Sequence, residues 1–181
     1  MESKQYQNIS ELARGTYENC DFKNCNFENS PFNHLIFIDC TFKDCNLSNV
    51  SLTQTSFREV SFSNCKMIGL HFENCHSFLF AVSFSKCQLN LSSFYQVQLK
   101  KTKFENCELK EVDFTSANLA EASLVECNCQ LAIFDDTNLE KADLSSAYHY
   151  QIDPTKNKVK KAKFSREGLP GLLLQHQIII Q

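Results

Sequence analysis

From Tyr17 to Leu144 a large apolar residue recurs at every fifth position. The series opens with Tyr17, Phe22, Phe27, Phe32, Phe37, Phe42, Leu47, Leu52, Phe57, Phe62, Met67 and Phe72. After a slip of two residues it resumes at Leu79, Phe84, Leu89, Phe94, Leu99, Phe104, Leu109, Phe114, Leu119 and Leu124, and runs out through Cys129, Phe134, Leu139 and Leu144. Two residues before each large one stands a small or slim one, such as Cys20, Cys25, Thr55, Val82, Ala117 or Ala142, the exceptions being Leu35 and Leu70. The other three positions of each five are mostly Asn, Asp, Ser, Lys and Glu. Helices and strands repeat their side chains at 3.6 and 2.0 residues, so a period of five fits neither. It predicts a solenoid in which every five-residue unit forms one wall, two residues pointing inward and three facing water.

The cysteines give the coil length. Cys25, Cys45 and Cys65 are spaced by twenty, and adding the slip carries the series to Cys87, Cys107 and Cys127. Four walls of five make a coil of twenty, so these residues stack. A second ladder runs from Cys20 and Cys40 to Val60, Val82, Thr102, Ala122 and Ala142. Cysteine here stands where Val, Thr and Ala stand elsewhere, which predicts compact, buried, reduced side chains. Zinc needs four converging ligands, and no histidine shares the inward slots, so neither a metal nor another cofactor is expected. Asn or Asp at 19, 24, 29, 39, 44, 49, 64 and 74 marks the corners, because these residues tolerate turn conformations.

Units such as Cys25-Asn26-Phe27, Ala117-Asn118-Leu119 and Ala142-Asp143-Leu144 resemble the A-(D/N)-L/F-x-x consensus of the pentapeptide-repeat proteins. The resemblance covers roughly residues 15 to 165 and implies an all-β solenoid, a right-handed quadrilateral β-helix of about seven coils. In size, in its many Phe slots and in its acidic body the chain is similar to the quinolone-resistance (Qnr) group. That group is held to mimic DNA and to protect DNA gyrase, a type II topoisomerase. The chain lacks the long projecting loops that many Qnr proteins carry, its mid-rod interruption being two residues. A rival expectation is a scaffold with an unrelated partner.

Residues 1–16 are expected to cap one end, 17–164 to form the β-helix, and 165–181 to cap the other. The slip falls within 73–83. Ile152-Asp153-Pro154 interrupts the last coil, since proline removes a ladder donor, and an irregular loop is expected over 148–158. In the tail a short helix at about 169–176 and a strand at Ile178–Ile180 would cover the open sheet edge. Leu169, Leu172, Leu173, Leu174, Ile178, Ile179 and Ile180 form the candidate cap and homodimer segment, because the family resemblance implies pairing through this end. The first residues show no basic region followed by an apolar run, and no stretch reaches the ~18 apolar residues of a membrane helix. A cytoplasmic protein is expected.

Charge adds a candidate surface. The net charge is −3, but residues 104–144 hold ten acids against two lysines. The acids are Glu105, Glu108, Glu111, Asp113, Glu121, Glu126, Asp135, Asp136, Glu140 and Asp143, all in outward slots. Such a rod is a poor nucleic-acid ligand but suits a protein groove built for DNA; a merely solvating surface is the plainer alternative. Lys156, Lys158, Lys160, Lys161 and Lys163 form an opposing basic segment. Ile36 and Ile38 flank Phe37 at outward positions, and Phe78 and Phe80 lie outside the repeat slots. These four are either an apolar contact patch or isoleucines covered by the slipped segment. The five histidines are scattered, no serine or cysteine stands at nucleophile spacing beside them, and there is no glycine-rich phosphate loop. No enzyme is expected.

Overall fold

The five-residue period folds into a stack of four-sided turns, seen in a computed structural model that describes residues 4–179. Among the described residues face 1 is a parallel sheet of nine strands: β1 (Lys4–Gln7), β3 (Cys20–Lys23), β5 (Thr41–Lys43), β7 (Val60–Ser63), β8 (Val82–Ser85), β9 (Lys103–Glu105), β10 (Ser123–Val125), β11 (Asp143–Leu144) and β12 (Lys163–Phe164). Nine rungs make about eight turns. Face 2 is a column of parallel bridges through Asn26, Asn46, Lys66, Gln88, Glu108, Asn128 and Tyr148. Face 3 carries the bridges Pro31–Ser51 and His71–Ser93–Asp113–Ile133. Face 4 begins as a three-stranded sheet of β2 (Thr16–Glu18), β4 (Ile36–Ile38) and β6 (Ser56–Arg58). It resumes as the column Gln98–Asn118–Asn138–Lys158.

Every second inward residue is a large one, and these rings pile up along the axis. On face 1 Phe22 stacks on Phe42 at 4.5 Å, and Phe84 on Phe104 at 5.1 Å. On face 3 Phe72 stacks on Phe94 at 4.3 Å. The small slot holds the predicted ladder, and all ten cysteines are free thiols, nine of them buried. The slot is not merely apolar, because its thiols and hydroxyls donate to carbonyls of the turn before. Cys45 donates to Phe22, Cys65 to Phe42 and Cys127 to Phe104, each at 3.5 Å. Thr55 reaches Phe32 at 2.9 Å and Thr137 reaches Phe114 at 2.8 Å. Cys, Ser and Thr thus share the slot with Ala and Val because each polar member finds an acceptor.

Burial pushes the Cys40 thiol up to about 11 and also raises Cys25 and Cys129. A folded-state pKa above the unfolded one stabilises fully below the unfolded value and is lost as pH rises through the folded one. The urea midpoint is therefore expected to hold from pH 7 to about 8 and to fall between about pH 9 and 11. A midpoint that stayed level across that window would contradict the burial of Cys40.

Most corners are one residue in the left-handed region, with φ between 50° and 63° and Gly69 at 70°. Asn19, Asn24, Asn29, Asp39, Asp44, Asn49 and Asn64 do this as expected, whereas Asn74 lies in a 3-10 helix, Phe72–Asn74. Beyond the slip the corners include Lys86, Leu91, Gln96, Glu111, Leu131 and Lys141. For such residues this conformation costs roughly 1–2 kcal/mol. Bonds between turns offset it: the corner N–H of Leu91 donates to Lys110 O at 2.9 Å, and that of Glu111 to Gln130 O at 2.9 Å.

The slip can be placed. His76 still bonds to Thr55, twenty-one residues back, as Ser56 does to Leu35, but Ala81 bonds to Phe57, twenty-four back. Val60 then pairs with Val82. The extra residues therefore sit between His76 and Ala81, on face 4. Leu79, expected inward, is instead a left-handed corner, 62% exposed. Phe80 takes its place, half-buried with its ring edge-on to Phe57 and Phe72. The reason is geometric: two added residues cannot keep the five-residue phase and still span one wall.

The N-terminal end and the tail differ from expectation. Lys4–Gln7 is a true rung, and Tyr6 stacks on Phe22 at 4.9 Å. At the other end regular bridging stops at Tyr148 and returns at Lys158. Between them Tyr150, Ile152 and Asn157 fill the core. The Asn157 amide donates to Phe134 O and Asp153 O and accepts from Thr137 N–H, replacing the lost wall bonds. The tail forms two 3-10 turns, Leu169–Leu172 and Leu174–His176. Ile178 and Ile179 are not in a strand, and Ile180 lies outside the described residues. Gly171 is pressed so closely on Tyr150 that a Cβ there would lie 2.2 Å from the Tyr150 carbonyl oxygen.

Candidate protein-binding surface

The period carries the outward side chains of face 3 into three successive tiers. The lowest holds Leu91, Ser93 and Tyr95, the next Glu111, Asp113 and Thr115, and the last Leu131, Ile133, Asp135 and Asp136. Ser93, Asp113 and Ile133 are stacked directly by bridges. Leu91, Tyr95, Leu131 and Ile133 are exposed, Leu131 at 60%. Among the described residues no Lys or Arg forms an ion pair with Glu111, Asp113, Asp135 or Asp136. Asp113 accepts from the Thr115 N–H at 2.8 Å, and Asp136 from the Ser116 hydroxyl at 3.5 Å. This face combines unneutralised negative charge with bare apolar side chains.

The remaining acids are dispersed and partly neutralised. Glu108, on face 2, meets Lys110 at 3.1 Å and the Asn128 amide at 3.0 Å. Glu121, at the corner between faces 4 and 1, lies 3.6 Å from Lys100 and 3.9 Å from Lys101. Asp143 on face 1 is held below the usual carboxyl range by bonds from Ser145, with Lys163 adding 3.1 Å away. Glu105 is on β9, Glu126 at the corner after β10 and Glu140 on face 4. Exposed pairs of this kind contribute little to stability.

Ile36, Ile38, Phe78 and Phe80 are not brought together as one apolar surface. The two isoleucines are half-buried on β4, Phe78 is exposed and Phe80 turns inward. Arg58, in register with Ile38, sets its guanidinium 5.6 Å from the Phe78 ring centre. In the tail Leu169, Leu174, Ile178 and Ile179 are exposed, whereas Leu172 packs on the core and Leu173 is half-buried. The apolar members of face 3 were missed by sequence reasoning. Their signal was present, since Leu91, Tyr95, Leu131 and Ile133 are large apolar residues in slots that otherwise hold polar ones.

Among the described residues no group of His, Cys, Asp and Glu is arranged to hold a metal ion, and no helix is long and apolar enough to cross a membrane. A family model described as pentapeptide repeat region matches residues 16–78 and 77–172. Comparison with curated protein sequences finds no match. Among solved structures, a trypsin-treated variant of QnrB1, a plasmid-mediated fluoroquinolone resistance protein, is similar at a TM-score of 0.69 and 17% identity, over 99% of this chain and 100% of that one. A second trypsin-treated variant gives 0.68 at 16% identity over 99% and 100%. Full-length QnrB1 gives 0.55 at 17% identity over 98% and 99%. At these identities the likeness is one of fold.

Proposed function

The chain belongs to the pentapeptide-repeat family, and from that membership and the chemistry of face 3 we propose that it is a non-enzymatic, protein-binding rod. The carrying observation is the pairing on one face of carboxylates that no Lys or Arg among the described residues neutralises (Glu111, Asp113, Asp135, Asp136) with exposed Leu131 and Ile133. Burying those apolar groups against a partner is favourable, and the charge selects a basic partner surface and steers its approach. A groove that normally holds DNA has that chemistry. The partner we favour is a type II topoisomerase such as DNA gyrase, in the cytoplasm, with the rod standing in for DNA and protecting the enzyme from quinolones. QnrB1, similar in fold, is described as a fluoroquinolone resistance protein. A scaffold with an unrelated partner uses the same face and differs only in what binds it.

The exposed Leu169, Leu174, Ile178 and Ile179 support a homodimer paired through the C-terminal end, a two-fold contact that places the same patch on both copies. Supercoiling by purified gyrase in the presence of a quinolone tests the topoisomerase reading. Added protein is expected to restore supercoiling. No effect at any ratio of protein to enzyme would leave the scaffold function.

A further inference from the structure

Face 4 has no strand between β6 and Gln98, and the slipped segment bridges the gap without filling it. What remains is a cavity of about 370 Å³ beside the 3-10 helix Phe72–Asn74. Pockets for small organic ligands start at roughly 300 Å³. Its lining includes Phe72, Phe80 and Val97, with Tyr95 at the rim. Val97 and Cys75 stand in the small inward slot, yet both are only half-buried, because the wall that would cover them is absent. Apolar side chains that line the core elsewhere are therefore open to a ligand here.

Glu73 gives the cavity its polarity. Its side chain is three-quarters buried, and Oε1 meets His71 Nδ1 at 2.9 Å. Oε2 is buried without a hydrogen-bond partner among the described residues. A buried acceptor left unmet is costly, and a carboxylate oxygen more so. No Lys or Arg lines the cavity to meet it. Burial, together with the Glu73 charge, also pushes the Cys75 thiol up.

We propose that this break in the wall binds a small amphipathic cation, an amidinium, guanidinium or ammonium carried on a flat apolar body. The body lies against Phe80, Val97 and Tyr95, with the buried Phe72 ring as the floor beneath them, and the N–H groups of the cation bond to Glu73, a charge-assisted contact in a partly dry site. A neutral amide of the same shape keeps the apolar contacts and loses the charge. An anion is repelled.

Benzamidine is the probe, with benzamide as its neutral counterpart, measured by calorimetric or NMR titration of the whole protein. Benzamidine is expected to saturate one site and to bind at least roughly tenfold more tightly than benzamide. Glu73→Gln is expected to erase that preference. Val97→Phe, which fills the cavity, is expected to abolish binding while the circular dichroism spectrum is kept. Occupancy is also expected to slow alkylation of Cys75, the one cysteine that is not buried. Absent binding at millimolar benzamidine, equal binding of benzamide, or unchanged binding to Glu73→Gln would each overturn the proposal. Because benzamide compares two ligands on the unaltered protein, the test does not depend on either variant folding.

Discussion

Phe104→Ala is expected to destabilise the rod by about 3–5 kcal/mol, the usual cost of removing a buried ring. Phe104 is fully buried, stacked on Phe84 at 5.1 Å and edge-on to Phe94 at 5.9 Å and Phe114 at 6.1 Å. Such ring pairs add about 0.5–1.5 kcal/mol beyond area burial. The void has little means of closing, because β8, β9 and β10 are held at fixed spacing by bonds on both sides. A solenoid's stability is a sum of neighbouring turns, so a defect at mid-stack weakens two interfaces at once. Urea unfolding followed by circular dichroism measures the loss. Glu105→Ala, one residue on but exposed, is expected to change stability by less than about 0.5 kcal/mol. The reverse ranking would show that the inward register is wrong.

Gly171→Ala is expected to release the C-terminal cap and to cost about 1–3 kcal/mol, as overpacking does. The added Cβ would meet the backbone carbonyl of Tyr150 at 2.2 Å, and backbone cannot rotate aside as a side-chain tip can. The same approach carries the bond from Ile152 N–H to Gly171 O at 2.9 Å. Losing it uncovers Tyr150 and Ile152, both buried beneath the tail. Limited proteolysis is expected to remove the tail from the variant faster than from the parent, with the body intact. Leu169→Ala, at an exposed position of the same turn, is the control and is expected to cost little. Equal proteolysis of Gly171→Ala and parent would mean that the tail is not docked there.

The turns were legible because one constraint repeats. A residue such as Phe42 is inward for the same reason as Phe22 and Phe62, so the period averages out local exceptions and the cysteine spacing measures the coil independently. Where a residue's place depends on a single event, the pattern is silent. Leu79 and Phe80 are both large and apolar, and which one enters the core depends on how two surplus residues fold. Tyr6 was obscured because its turn is four residues shorter, Lys4 pairing with Cys20. Gly171 gives no signal until Tyr150 is placed against it. The acidic residues were readable as outward, but their grouping was not. Only the assembled faces separate Glu111, Asp113, Asp135 and Asp136 from Glu108, Glu121 and Asp143, which have lysines beside them.

The most direct test of a charge-led, protein-binding face is the affinity for purified gyrase across a salt series. It is measured for the parent and for a variant with Glu111, Asp113, Asp135 and Asp136 each changed to Lys. Exposed charges are screened over about 8–10 Å at physiological salt, so parent binding is expected to weaken steeply as salt rises. The variant is expected to keep its fold and lose binding, since all four side chains point outward. Parent binding that ignored salt and survived the four reversals would contradict the assignment of face 3.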